Sequence, residues 1–213
     1  MIKSSHIISL ASLLLLFGLI LPQASAQTPA AKKGAPIEIT ADDALEWRRD
    51  EKIYVARGNA QAKQADTAIN AATLKAHYRN NAQGDTAIWK VEAENNVTIT
   101  SPDGVVKGER GVYTVSDGRA VLTGQNLSAT GENISVTADK TLEYFAQEGK
   151  FVATGNATAT EPGRSITSDT LTAWTKKGSE SPADKTDGEM PVGGGGLDRA
   201  EAVGNVIIKT DSE

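Results

Sequence analysis

The sequence contains no cysteine, few aromatic residues and no cluster of basic residues. The lack of cysteine excludes disulfide bonds, thiol catalysis and metal sites with cysteine ligands. Aromatic residues make up only 5% of the 213 residues, so a buried core must consist mainly of smaller side chains. Acidic and basic residues are interspersed around a net charge of −5, which argues against a nucleic-acid partner.

One long apolar run is present, and it lies at the N-terminus. Residues 7–21 form this run of 15 residues, and an A-x-A cleavage site ends at Ala26. These features predict a cleavable signal peptide over residues 1–26, export to the periplasm and a mature chain of 213 − 26 = 187 residues. An uncleaved anchor helix is the alternative, although the run is short for a membrane span. We expect residues 27–36 to form a flexible segment before a single domain.

A short phrase recurs along the rest of the chain: an alternating apolar run, a Gly/Asn punctuation and another alternating run. Recurrence of this kind is typical of a repeat architecture. Alternation of apolar and polar residues predicts half-buried strands, as in the run in which Trp89, Val91 and Ala93 are the apolar members. We therefore predict an all-β sandwich, barrel or roll. The asparagines of the phrases are Asn59, Asn96, Asn126, Asn156 and Asn205.

The chain also contains a longer internal duplication. Residues 39–42 recur as residues 136–139, an offset of 136 − 39 = 97. The alanine-rich segment 66–78 favours a helix by propensity alone. Its second copy, residues 165–174, is rich in Thr, Ser and Ile, a composition typical of strands. We therefore predict strands in both copies.

The offset later rises because of an insertion. Glu92-Ala93 recurs as Glu201-Ala202, so the offset becomes 201 − 92 = 109 and the second copy has gained 109 − 97 = 12 residues. The extra residues fall within 176–196, which holds four consecutive glycines and two prolines. We predict a disordered surface loop there. The glycines lack a following Lys-Ser/Thr pair, so they do not form a phosphate-binding loop.

Few residues are suited to catalysis. His77 is the one histidine outside the predicted signal peptide, and a lone histidine in a strand is usually an ordinary sheet side chain. Asp42 and Asp43 are adjacent, so they point to opposite faces of a strand and cannot act as a carboxylate pair. Asp42 and Asp139 occupy equivalent positions of the duplication, which favours a backbone-capping role at turns. We expect no enzyme activity, no metal and no cofactor.

The apolar faces of the predicted strands are rich in Ala, Val and Ile. Two interpretations are open: a thin but filled core, or a trough with room for the acyl chains of a lipid. Each buried methylene of a ligand contributes about 0.8 kcal/mol, so some ten methylenes would provide roughly 8 kcal/mol. That free energy is enough for useful yet reversible binding.

Five segments of the chain stand in a distinctive order and spacing. They are Ile37-Glu38-Ile39-Thr40-Ala41-Asp42, Val55-Ala56-Arg57-Gly58-Asn59-Ala60, Ile69-Asn70-Ala71, Gly108-Glu109-Arg110-Gly111-Val112-Tyr113 and Val121-Leu122-Thr123-Gly124-Gln125-Asn126. Together they resemble the OstA-like lipopolysaccharide-transport family. The resemblance implies that residues 37–213 form one domain whose fold class would be all-β, an open antiparallel β-jellyroll of repeated short strands. The interior of that fold would be apolar and would hold the acyl chains of lipid A.

The resemblance also implies a function and partners. The chain would carry lipopolysaccharide from the inner to the outer membrane without a cofactor. It would assemble head to tail with itself, with an LptC-like inner-membrane partner and with an LptD-like outer-membrane partner. The edges for this assembly would be the first strand, near 37–40, and a C-terminal strand, near 203–210. The residues implied to face the lipid all lie in the apolar phase of their strands: Ile37, Ile39, Ile99, Tyr113 and Val115.

Two other functions compete with lipid transport. A structural or adhesive periplasmic β-repeat protein would have a filled core and no lipid ligand. An envelope hydrolase would need a catalytic pair, and the sequence offers none. Uptake of an apolar ligand by the folded protein separates the transport hypothesis from the structural one.

Overall fold

The protein is all-β, as the alternating runs predict. The computed structural model describes residues 37–64, 66–80, 86–102, 104–175 and 197–211. These residues form fourteen strands in a single antiparallel sheet. No helix long and apolar enough to cross a membrane occurs in them. The predicted signal peptide (1–26), N-terminal segment (27–36) and glycine-rich loop (176–196) lie outside the described residues.

The sheet has ten positions, each filled by one long strand or by two short strands in line. Across the sheet the order is β1/β2, β3, β4, β5, β6, β7/β8, β9/β10, β11, β12 and β13/β14. The strands are β1 (Glu38–Thr40), β2 (Ala44–Arg48), β3 (Ile53–Gln64), β4 (Thr67–Asn80), β5 (Thr86–Ser101), β6 (Gly104–Thr114), β7 (Arg119–Thr123), β8 (Leu127–Thr130), β9 (Ser135–Ala138), β10 (Thr141–Phe145), β11 (Lys150–Glu161), β12 (Arg164–Thr175), β13 (Leu197–Val203) and β14 (Ile207–Thr210).

The recurring Gly/Asn phrase forms the corner at which a strand bends. In β3, Gly58 and Asn59 have φ of +78° and +43°, and the pairing register with β4 shifts there. Gly155 and Asn156 repeat this geometry in β11, with φ of +90° and +45°. Left-handed backbone is accessible to Gly and Asn at little cost, which explains why these two residue types mark the corners. The other corners with positive φ are Asn95-Asn96 within β5, Gly124 and Asn126 between β7 and β8, and Gly204-Asn205 between β13 and β14.

The corners divide the sheet into two arms. Arm A contains β2, β7, β10, β13 and the parts of the long strands level with them. Arm B contains β1, β8, β9, β14 and the remaining parts of the long strands. Inner side chains of both arms belong to one apolar core, so the sheet folds back on itself. The open jellyroll is thus one sheet bent at a common level.

Strand pairing brings the inner side chains into rows that cross the whole sheet. In arm A, consecutive pairings place one row of small and large residues side by side, which lets neighbouring side chains interdigitate. In arm B the corresponding row is aliphatic throughout. The arm A row is Leu45, Ala56, Leu74, Ala93, Gly111, Leu122, Leu142, Ala153, Leu171 and Ala202. The arm B row is Ile39, Ala62, Ile69, Ile99, Val106, Ala129, Val136, Ala159, Ile166 and Ile208.

The internal duplication predicted from sequence is reproduced in the pairing. Leu45 pairs with Ala56, and 97 residues later (142 − 45) Leu142 pairs with Ala153. In arm B the pair of Ile39 with Ala62 recurs as Val136 with Ala159. The alanine-rich segment that could have been a helix is strand β4, as its second copy indicated. Equivalent residues of the two copies therefore take equivalent places in the sheet.

The turn role of Asp42 takes a different form from the predicted backbone cap. The amide of Asp42 donates to the carbonyl oxygen of Gly58 at 2.8 Å, and the amide of Asp139 donates to that of Gly155 at 2.7 Å. The carboxylate of Asp42 accepts a hydrogen bond from Nδ2 of Asn59 at 2.8 Å. The Asp42 side chain thus fixes the corner residue Asn59 of the neighbouring strand. The backbone hydrogen bonds of Asp42 and Asp139 continue the pairing between strands.

Alternation with Val91 and Ala93 predicts that the side chain of Trp89 points inward, and this prediction is wrong. The register shifts opposite His77 and Tyr78, which leaves Trp89 as an extra residue and gives the inner position to Ile88. The Trp89 ring instead contacts the His77 ring, with centroids 5.8 Å apart, on the outer face. A bulge reverses the phase of alternation and cannot be read from alternation itself. His77 is an outer-face sheet residue, with Nε2 3.4 Å from a carboxylate oxygen of Glu92.

The outer face near β2 carries paired charges. Glu46 contacts Arg48 at 2.8 Å and Arg57 at 3.0 Å. Hydrogen bonds from Arg48 and Arg57 lower the pKa of Glu46 to about 2. Lys75 and Glu94 pair at 2.9 Å across the next two strands. Such exposed pairs contribute little to stability, but they leave this part of the surface close to neutral.

Replacement of a corner glycine should destabilise the fold more than replacement of a turn glycine of similar φ. A Cβ at Gly155 (φ +90°) would lie 2.9 Å from the backbone nitrogen of Lys140, whereas Gly163 (φ +77°) has nothing within 4 Å. We expect Gly155→Ala to lower the free energy of unfolding by about 2–4 kcal/mol and Gly163→Ala by about 1 kcal/mol. Urea unfolding of both variants measures the difference. Equal losses would contradict a steric role for the corner.

Candidate functional site

A cavity of about 380 Å³ lies between the two arms. This volume is within the range of small-molecule binding sites. Arm A provides one wall from β7, β10, β11, β12 and β13, and arm B provides the other from β5, β6, β8, β9 and the end of β11. Because each wall is the inner face of a pleated sheet, every second side chain points into the cavity. Its main apolar residues are Ile99, Val106, Val136, Leu142, Tyr144 and Phe151.

The cavity occurs where small residues meet across the two arms. Ala120 and Ala173 of arm A and Ala129 of arm B all line it. Toward β3 and β4 the core is filled instead, and Ala60 and Leu74 are 0% and 1% exposed. Both interpretations of the small apolar side chains thus apply, each to a different part of the core: the first strands pack closely and the later strands leave space.

The cavity is apolar inside and polar at its mouth. Thr130 and Asn133 line the cavity and are exposed, which puts the mouth at the hairpin between β8 and β9. The amide of Gly131 donates to the carbonyl oxygen of Ile134 at 2.8 Å and closes this hairpin. Ile134 is 38% exposed, so an apolar side chain stands at the entrance. An elongated apolar ligand with a polar head would match this division between interior and mouth.

The five residues implied to face the lipid all lie on the inner side of the sheet. Ile99 lines the cavity. Tyr113 lies beside it in the core, with Ile99 and Leu122 as neighbours around a gap of about 10 Å³. Ile37, Ile39 and Val115 are half-buried against the same core. The structure therefore brings all five to one face but places only Ile99 in the wall of the large cavity.

Sequence reasoning missed most of the cavity wall, and part of that wall comes from the second copy of the duplication. The 97-residue offset relates Ile39 to Val136 and Trp47 to Tyr144, since 136 − 39 and 144 − 47 both equal 97. Val136 and Tyr144 line the cavity, whereas Ile39 is near an edge of the sheet and Trp47 is 54% exposed. Extending the implied contacts Ile37 and Ile39 by 97 residues would have identified Ile134 and Val136, but not Tyr144.

Of the described residues that line the cavity, Glu143 and Glu161 are charged and the others are uncharged. Burial raises the pKa of Tyr113 to about 12, so this phenol stays neutral over the physiological range. Among the residues that the structure describes, no group of three histidine, aspartate or glutamate side chains could hold a metal ion. The arrangement is suited to holding apolar groups through burial.

A family comparison agrees with this geometry. Residues 38–140 match the family described as LptA/(LptD N-terminal domain) LPS transport protein. Over these residues the chain is similar to the LptA-like family. The matched residues include β1–β9, and β9–β12 repeat β1–β4 through the internal duplication. The LptA-like region thus supplies the arm B wall of the cavity and, through β7, part of the arm A wall.

A comparison with solved structures finds one similar chain among its matches. It is LptH, the LptA homologous periplasmic component of the conserved lipopolysaccharide transport device from Pseudomonas aeruginosa. The sequences are 14% identical, the alignment covers 79% of this chain and 94% of the other, and the TM-score is 0.33. No curated protein sequence matches this chain.

Burial of Tyr113 predicts a loss of stability at high pH. The folded-state pKa of about 12 lies above the ordinary value of 10, so the unfolded chain ionises first and stability falls between pH 10 and pH 12. Two units correspond to at most about 3 kcal/mol. We expect Tyr113→Phe to remove this part of the loss when each protein is compared with its own stability at pH 8. Chemical unfolding across this pH range measures the free energy of unfolding of both proteins. An identical pH dependence of the two would refute a contribution from the buried phenol.

Proposed function

We propose that this chain is a periplasmic protein that carries lipopolysaccharide from the inner to the outer membrane. The observation that supports the proposal most is the apolar cavity between the arms, with polar groups at its mouth. The LptA-like family of residues 38–140 favours lipopolysaccharide among the lipids that such a cavity could take. The predicted signal peptide is consistent with this location.

In the proposed mechanism the acyl chains of lipid A enter between the arms. The sugar part stays at the mouth, near Thr130 and Asn133, where water and hydrogen-bonding groups are available. Burial of some ten methylenes would contribute about 8 kcal/mol, which corresponds to a dissociation constant on the order of a micromolar. Binding of this strength is reversible, as a carrier requires. No covalent step is needed.

The two edges of the sheet are the proposed contact sites for partners. Among the described strands, β1 and β2 pair only with β3 at one edge, and β13 and β14 pair only with β12 at the other. Ile207 and Ile208 at the second edge are 54% and 63% exposed. Open strands offer unpaired backbone groups to another chain. We propose head-to-tail assembly of copies, with an LptC-like partner and an LptD-like partner at the ends.

Filling the cavity should weaken lipid binding. Ala129 is an inner residue of β8 in the cavity wall, and its neighbour Ser128 belongs to the opposite face of the strand. We expect Ala129→Phe to displace at least two methylenes of bound lipid, a loss of about 1.6 kcal/mol or more than tenfold in affinity. Ser128→Phe should bind as the parent does. Displacement of a fluorescent fatty acid by purified lipid A measures both affinities.

The competing structural function makes the opposite prediction for the same assay. A β-repeat protein without a ligand would bind neither the fluorescent fatty acid nor lipid A, whichever variant is tested. If the parent protein binds and Ala129→Phe binds equally well, lipid binds elsewhere on the protein and the cavity assignment is wrong.

A further inference from the structure

The two edges of the sheet have matching shapes. Each edge consists of two short strands in line, separated by three residues: 41–43 between β1 and β2, and 204–206 between β13 and β14. All pairings are antiparallel, and the sheet has ten positions, an even number. The strands at the two edges therefore run in opposite directions. A second copy placed edge to edge would continue the antiparallel order.

The chain already contains a junction of this kind inside its own sheet. There, β7 and β8 pair with β10 and β9, so that Leu122 lies opposite Leu142 and Ala129 lies opposite Val136. The N-terminal edge repeats the β9/β10 side of this junction. Leu45 precedes Leu142, and Ile39 precedes Val136, by the same 97 residues (142 − 45 and 136 − 39).

The C-terminal edge repeats the β7/β8 side of the internal junction. Ala202 stands two residues before the corner Gly204, as Leu122 stands two residues before the corner Gly124. After the corner, Ile208 stands three residues beyond Asn205, as Ala129 stands three residues beyond Asn126. Each edge thus corresponds to one half of a contact that the fold makes internally.

We propose that the C-terminal edge of one copy pairs with the N-terminal edge of the next in the register of the internal β7/β8–β9/β10 junction. This register places Ala202 opposite Leu45 and Ile208 opposite Ile39. It rests on the head-to-tail assembly proposed above and specifies how that assembly fits together.

The corners agree with this register. Thr40, the last residue of β1, falls opposite Ile207, the first of β14. Ala44, the first residue of β2, falls opposite Val203, the last of β13. A slip of two residues would set the corner of one copy against a straight strand of the other. One register therefore aligns the strands of arm A and the strands of arm B at the same time.

The register also continues the apolar interior from copy to copy. Leu45 and Ile208 are 60% and 63% exposed, although each ends an inner row of the sheet. Pairing Leu45 with Ala202 joins the arm A row of two copies, and pairing Ile39 with Ile208 joins the arm B row. The exposed apolar ends then become interior, and the surface between the arms runs on without a polar break.

Charges at the junction also match the internal template. In the internal junction Arg119 contacts Glu143 at 2.6 Å. The equivalents of these residues at the edges are Arg199 and Glu46, by offsets of 80 (199 − 119) and 97 (143 − 46). The register sets them diagonally across the junction, within reach of long side chains.

Two pairs of like charge fall directly opposite each other in this register, Glu201 with Glu46 and Arg199 with Arg48, which is unfavourable by itself. The opposite charges on the diagonals, and the contacts of Glu46 with Arg48 and Arg57, offset this repulsion. Glu38 falls opposite Lys209, an attractive pair. Neither edge therefore carries an excess of one sign into the contact.

Disulfide cross-linking tests the register, because the chain has no natural cysteine. Exported protein carrying Thr40→Cys is mixed with protein carrying Ile207→Cys, oxidised and examined for a covalent dimer. The matched control replaces Ile207→Cys with Lys209→Cys, two residues away on the same exposed strand. In the proposed register the control Cα atoms would lie roughly 8 Å apart, beyond the reach of a disulfide. We expect a dimer from the first mixture and almost none from the second.

The outcomes separate the register from the assembly it rests on. Equal or greater cross-linking with Lys209→Cys would overturn the register, while head-to-tail assembly would stand. No cross-linking in either mixture, together with a monomer by light scattering at all concentrations, would overturn both. Lipid A binding by such a monomer would still support the cavity, so the transport function is tested separately.

Discussion

The corner in each strand is the constraint on which the rest of the structure depends. A flat ten-position sheet would leave one apolar face in water, because it would have nothing to pack against. Bending the strands at one level lets the sheet cover its own inner face. The bend needs left-handed backbone, and Gly and Asn supply it at Gly58-Asn59 and Gly155-Asn156. Asp42 ties one corner asparagine to the neighbouring strand.

The cavity follows from an asymmetry between the arms. Inner aromatic residues belong to arm A, where Tyr144 and Phe151 line the cavity. The inner row of arm B is aliphatic, with alanine at several positions, such as Ala129. Large rings on one side and small side chains on the other leave space where neither reaches across. The scarcity of aromatic residues is therefore what keeps part of the interior open.

The same pairing rules govern the cavity and the edges. Each row of inner side chains stops at the edge of the sheet, where no further strand covers its last residue. Leu45 and Ile208 are therefore exposed, although they belong to the inner face. The internal duplication makes the two edges resemble the two sides of one intramolecular contact. In the carrier proposed above, one surface would both hold the apolar chains and pass them from copy to copy.

Alternation, the Gly/Asn corners and the 97-residue duplication determined the strands, their inner faces and the equivalence of the two copies. Those features are local or periodic, so they can be read along the chain. The phase of Trp89 and the site of the cavity were decided only by tertiary structure. A bulge changes phase without a local signal, and a cavity depends on which residues meet across the two arms. Ile99 and Tyr113 share one inner face, yet only the packing of arm B against arm A puts Ile99 in the cavity wall.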